Sequence, residues 1–290
     1  MTIGPRDSVG IPPHATGSVI SADGTTIGYR QLGQGPGIIL VHGSMMASQN
    51  LMKLGAALSG NFTVYVPDRR GRGLSGAFGD NYGIHKECED IKALIEKTGA
   101  LSVFGLSSGA IVSLQLALTL PIQKLALYEP PLTIPGSAHT DWVPRYEREI
   151  IQGKLASAMV TLIKGTGDWS VLAVMPRFLL VPLFHLAIDA EGKEVKEGRV
   201  PLKALIPTMH FDVKLVAETE GALETFSAVH ADVLLMGGSK SAPYLRRALD
   251  ALGGVLPNAM RVELPGVGHL AADNGGKPEL VATKLRAFFA

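Results

Sequence analysis

The stretch Gly105-Leu106-Ser107-Ser108-Gly109 joins an apolar run, Leu101-Ser102-Val103-Phe104, to a helix-like run from Ala110 to Leu120. A serine at the tip of a sharp strand-to-helix turn needs strained backbone angles and close approach of neighbouring segments, and residues without Cβ relieve the crowding. Glycines two residues either side of Ser107 supply that relief. The pentapeptide therefore predicts a nucleophile elbow with Ser107 held above a sheet. The helix that follows aims its N-terminal amides at the same spot, which makes the N–H of Ser108 a candidate oxyanion donor.

Other segments share the strand-then-turn form. Gly37 to Met45 reads as a buried strand ending in the loop His42-Gly43-Ser44, and Phe62 to Ser75 as a strand running into Asp68-Arg69-Arg70-Gly71-Arg72-Gly73-Leu74-Ser75. Far downstream, Gly266-Val267-Gly268-His269-Leu270 follows the strand-like Arg261 to Leu264. In this order, H-G-x, D-x-R-G-x-G-x-S, G-x-S-x-G and a late G-H, the chain resembles the α/β-hydrolase superfamily from about Gly17 to the C-terminus, a middle insertion excepted. The resemblance implies a mostly parallel central sheet flanked by helices, with a helical cap inserted after the strand that follows the nucleophile strand.

Serine catalysis needs a base to take the hydroxyl proton and an acid to orient that base. The resemblance makes His269 the base and assigns the second oxyanion N–H to Ser44, with Met45 next. His42 is expected to shape the oxyanion loop and border the substrate, and the charges of Asp68, Arg69 and Arg72 to tie their loop down. The acid departs from the commonest pattern. Many members carry an Asp after the penultimate core strand, but here Val233 to Gly238 runs into Ser239-Lys240-Ser241-Ala242-Pro243 without a carboxylate. Glu129 ends the strand Leu125 to Tyr128, where some members, haloalkane dehalogenases among them, hold their acid. Glu129 is thus the matching residue, and Asp250 and Asp273 are the alternatives.

With 290 residues, 46% hydrophobic and 18% charged, the chain can bury a large core. Its net charge of +1, with no basic cluster, gives no sign of nucleic-acid binding. The single Cys88 excludes an internal disulfide and fits a reducing, cytoplasmic setting. Residues 1–16 carry three prolines and no long apolar segment, an irregular arm and not a signal peptide. Apolar runs near 37–42, 62–67, 101–106, 124–128, 231–237 and 260–264 suit a parallel sheet buried on both faces. The expected core is therefore 17–130 and 230–290, with 131–229 as the cap.

Val171 to Ile188 approaches the length of a membrane span, but Pro176, Arg177, Pro182 and His185 interrupt it, so a broken cap helix is expected and no span. Cap residues Trp169, Met175, Phe178, Leu179, Phe184 and Met209 are the expected apolar contacts of a ligand. These features imply a hydrophobic small-molecule partner and a monomer or homodimer. There is no His-Glu-x-x-His, cysteine cluster or Walker loop, and no cofactor or metal is expected. A serine elbow implies an acyl-enzyme route on a hydrophobic ester or lactone. The same elbow serves carbon–carbon bond hydrolases and cofactor-free haloperoxidase-like enzymes, and some relatives are non-catalytic small-molecule receptors.

Overall fold

The computed structural model describes residues 2–3, 13–134, 140–167, 170–193 and 199–290. Strands β1 (Thr2–Ile3), β2 (Ala15–Ile20) and β3 (Thr26–Leu32) open the chain as antiparallel neighbours. The N-terminal arm, expected to be irregular, thus contributes a two-residue strand that pairs with Ala15 and Thr16. From there strands and helices alternate: β4 (Gly37–Val41), α1 (Met52–Leu58), β5 (Thr63–Pro67), α2 (Ile84–Thr98), β6 (Ser102–Leu106), α3 (Ser108–Leu116) and β7 (Lys124–Tyr128). A helical stretch follows, comprising α4 (Val143–Ile151), α5 (Leu155–Thr166), α6 (Ser170–Val174), α7 (Arg177–Lys193), α8 (Leu202–Leu205) and α9 (Met209–Glu218). The alternation then resumes with β8 (Asp232–Gly238), α10 (Pro243–Val255), β9 (Ala259–Leu264) and α11 (Pro278–Phe289).

The sheet has nine strands in the order β1-β2-β3-β5-β4-β6-β7-β8-β9. From β5 to β9 every neighbouring pair is parallel, and only the first strands are antiparallel. Side chains of a strand alternate between faces. Ile38, Leu40, Phe104, Leu106, Leu234 and Met236 therefore pack on one side with α1 and α11. Ile39, Val41, Val103, Leu125, Leu127 and Leu235 pack on the other with α2, α3 and α10. Both faces are covered, which is why these strands read as continuous apolar runs.

The inserted helices bury a third, smaller core around Tyr146, Met159, Ile163, Ile188 and Ile206, pinned where Tyr146 Oη donates to the Ile206 carbonyl at 2.6 Å. The apolar run within the insertion breaks at Pro176 into α6 and α7, and no helix among the described residues is long and apolar enough to cross a membrane. Helix α7 is apolar on both sides: Leu180 and Ile188 are buried, whereas Phe178, Leu183 and Leu186 are exposed.

Candidate active site

Three of the four non-glycine residues with positive φ among the described residues, Ser107 (54°), Glu129 (48°) and Met45 (50°), gather at the tips of β6, β7 and β4. Such conformations cost of order 1–3 kcal/mol each and persist where the surroundings enforce them. At Ser107 the enforcement is visible. A Cβ at Gly105 would stand 2.5 Å from Ala110 Cα, and one at Gly109 would stand 2.4 Å from the His42 carbonyl oxygen. Helix α3 can therefore lie hard against β6 and the His42 loop only because both positions lack a side chain.

Ser107 Oγ lies 3.0 Å from His269 Nε2, and His269 Nδ1 lies 2.8 Å from Glu129 Oε2. A buried carboxylate facing Nδ1 accepts a hydrogen bond from Nδ1–H, which makes Nε2 the acceptor for the serine hydroxyl. Glu129 is fully buried, and its second oxygen, Oε1, accepts the Gly238 N–H at 2.6 Å. The loop bearing His269 is fixed to β7 as well, because Tyr128 Oη donates to the Gly268 carbonyl at 2.9 Å. The other two carboxylates have other partners, although Asp273 lines the same cavity as Ser107 and His269. Asp250 is exposed and pairs with Arg261, while Asp273 accepts from Asn50 Nδ2 and the Gly275 N–H.

Beside the serine, a Cβ on Gly43 would stand 3.0 Å from Ser107 Cβ, so the His42-Gly43-Ser44 loop passes close to the elbow. Among the described residues no hydrogen bond occupies the amides of Ser44, Met45 or Ser108. His42 itself is fully buried, with Nδ1 on the Gly43 carbonyl and Nε2 accepting the Arg69 N–H. Burial, and then the Arg72 and Arg69 charges, push its pKa well below the ordinary histidine value, so His42 is a neutral strut.

Beneath Ser108 lies a buried charge cluster that the motifs alone did not reveal. Arg69 makes a two-bond fork to Glu87 and also reaches Asp212 Oδ1 at 2.9 Å and Ser108 Oγ at 3.0 Å. Arg72 Nη2 donates to Asp212 Oδ2 at 2.7 Å, and Ser108 Oγ donates to Asp212 Oδ1 at 2.9 Å. Burial pushes the Asp212 carboxyl up, but Arg72 and Arg69 outweigh it and hold it below its usual range. Asp68 ties its own loop together through Arg30 and the amides of Ser48 and Leu74. Cys88 Sγ lies on the Val112 carbonyl of α3, and burial pushes its thiol up to about 12. Among the described residues no three His, Cys, Asp or Glu side chains are grouped to hold a metal ion.

Ser107 and His269 open onto a cavity of about 610 Å³ beneath the insertion. Phe184 and Met209 line it, with Leu132, Trp142, Met159, Leu162, Val213 and Val216. Other expected contacts are not brought to it. His42 is walled off behind its loop, Met175 is not in the lining, and Phe178 and Leu179 turn to solvent, 75% and 50% exposed. The helical period explains the split, since Leu180, Phe184 and Ile188 share the inner side of α7 and leave Phe178 and Leu179 outside. Trp169 lies outside the described residues.

A parallel sheet whose strand tips carry a strained serine, a histidine loop and a carboxylate defines a class, and comparison with known proteins agrees. Residues 38–283 match the model of the alpha/beta hydrolase family. The chain belongs to that family. An alpha/beta hydrolase from Sphaerobacter thermophilus superposes with a TM-score of 0.75 at 28% identity, covering 94% of this chain and 100% of that one. The enol-lactonase of Burkholderia xenovorans (TM-score 0.66, 19% identity, 94% and 99% coverage) and a thermophilic esterase of Thermogutta terrifontis (0.68, 18%, 95% and 98%) share the fold. Among curated proteins, the magnesium-chelatase 30 kDa subunit of Rhodobacter capsulatus is 32% identical over 94 residues, 31% of this chain. The chain aligns with only 33% to 40% of the length of the curated relatives it matches.

Proposed function

We propose that this protein is a serine hydrolase that cleaves a hydrophobic small-molecule ester or lactone through an acyl-enzyme. One observation carries the reading: the hydrogen-bonded series Ser107–His269–Glu129 opens onto a mainly apolar cavity whose lining, among the described residues, includes the carboxylates Asp212, Glu220 and Asp273 and no lysine or arginine. A neutral, bulky acyl compound suits such a space better than a phosphate or carboxylate.

Ser107 Oγ adds to the carbonyl carbon as its proton passes to His269 Nε2. Glu129 stabilises the resulting imidazolium through Nδ1–H, and the amides of Ser108 and Ser44 receive the negative charge on the former carbonyl oxygen. His269 then returns the proton to the leaving oxygen as the carbon–oxygen bond breaks, leaving an acyl group on Ser107. A water molecule, deprotonated by His269, adds to the acyl carbon, and His269 returns that proton to Ser107 Oγ as the bond between Oγ and the acyl carbon breaks and the acid leaves.

Labelling with a fluorophosphonate, followed by peptide mass spectrometry, tests the nucleophile. The expected adduct is on Ser107 and vanishes in Ser107→Ala, and an ester and lactone panel then gives turnover in the wild type alone. A labelled protein that cleaves only carbon–carbon bonds would refute the ester class, and a folded protein with no adduct would refute the hydrolase reading.

A further inference from the structure

We infer that Asp212 is a positioning residue that locks Ser108, so that seating helix α9 of the insertion over the sheet and setting the oxyanion amide become one event. The inference rests on the serine-hydrolase reading above and extends it to a residue that does no chemistry itself.

Asp212 stands on α9, yet all its polar contacts fall on the core: Ser108 Oγ, Arg69 Nη1 and Arg72 Nη2. It is 1% exposed, and so is not a surface charge that happens to meet a partner. Ser108 Oγ is held from three directions, by donation to Asp212 and by acceptance from Arg69 and Ser44. The hydroxyl oxygen sits two bonds from the Cα whose amide is the first of α3, and such amides lack helical partners. Clamping the hydroxyl therefore fixes the direction of that N–H. Ser44, the other expected oxyanion donor, joins the same clamp through its own hydroxyl.

The cluster depends on the carboxylate from α9. Among the described residues Nε and Nη1 of Arg72 are buried with no hydrogen-bond partner, so Asp212 supplies the only bond its guanidinium makes there, 5.7 Å from the Phe78 ring centroid. Arg69 keeps Glu87 if Asp212 is lost, but among the described residues no other charge brings α9 to Ser108. The same helix lines the cavity with Met209, Val213 and Val216, so a substrate pressing on these residues presses on the element that carries the clamp. Catalysis by an oxyanion site depends on donors fixed before charge develops. Asp212 extends that preorganisation from the core into the insertion.

The test is a double-mutant cycle with Ser108→Ala and Asp212→Asn, read by the rate of Ser107 phosphonylation and by kcat and KM on an ester. The phosphonate oxygen occupies the same donors as the oxyanion, so labelling reports on them without requiring ester turnover. Ser108→Ala keeps both Arg–Asp pairs and serves if Asp212→Asn fails to fold. Each variant is expected to slow labelling and kcat about tenfold with KM within twofold of wild type, and the double variant to be no slower than Asp212→Asn. Labelling by Ser108→Ala at the wild-type rate, or losses that multiply in the double variant, would overturn the coupling. A wild type labelled at Ser107 but inert toward esters would sink only the ester reading, because the labelling rates still judge the clamp. A wild type with no label on Ser107 would overturn both.

Discussion

Glu129 uses its two oxygens differently: Oε2 faces the His269 ring, and Oε1 is anchored by the backbone of β8. Replacing it with Gln keeps the volume but puts an N–H₂ where one of these acceptors stood. On the proposed hydrolase reading Glu129 fixes the tautomer of His269, and Glu129→Gln should lower kcat by about 10³–10⁴-fold. Asp250→Asn, at an exposed pair on the far edge, should leave kcat within about twofold. Steady-state kinetics on any ester turned over by the wild type decides between them. Ser107, His269 and Glu129, which the structure brings within hydrogen-bond distance in series, could be singled out in the sequence because each ends or follows a readable apolar strand. Asp212 could not be, because its partner Arg69 is 143 residues away. One signal was available: Met209, Asp212, Val213 and Val216 fall on one helical face, and a lone carboxylate in such a stripe needs a buried partner.

At the level of elements, the end of β8 explains why the acid can stand on β7. A Cβ on Gly237 would come within 3.0 Å of Glu129 Oε1, and one on Gly238 within 2.3 Å of the Val267 carbonyl oxygen. The paired glycines admit the carboxylate from one side and the histidine loop from the other. Gly238→Ala must push that loop away, so a loss of about 1–3 kcal/mol in stability, measured by urea unfolding, and a fall in kcat are expected together. The strand positions were legible because buried parallel strands and glycine turns are local signals, whereas the order in which β5, β4 and β6 lie side by side is a pairing of distant segments and comes from the structure. The faces of α7 were not legible. An apolar run such as Phe178 to Leu186 has no polar phase to mark its outside, so Phe184, which lines the cavity, could not be told from Phe178, which does not.

For the whole molecule, the buried polar groups tie stability to pH. Native His42 resists the proton that the unfolded chain accepts near pH 6.5, so the unfolded state binds more protons and stability declines as pH falls below about 6.5. Asp212, held down by Arg72 and Arg69 against the opposing pull of burial, adds stability that is present above about pH 4 and is lost as pH falls through its lower native value. Urea midpoints at pH 7.5 and 5.5 should therefore differ in the wild type and differ less in His42→Gln. An equal drop in both would assign the slope to other groups.

The insertion divides the site along the chain: Ser44, Ser107, Ser108 and Glu129 precede it, and His269 follows, 162 residues after the serine it faces. Contacts closed over such long loops form late in folding, after much of the helix and sheet has been laid down. During refolding, phosphonate reactivity at Ser107 should lag behind the recovery of helical circular dichroism, since the proposed base His269 reaches the serine only when the loop after β9 has docked. Reactivity at one hydroxyl then acts as a clock for the last step of assembly, and an intermediate lacking that step carries a nucleophile that cannot yet fire.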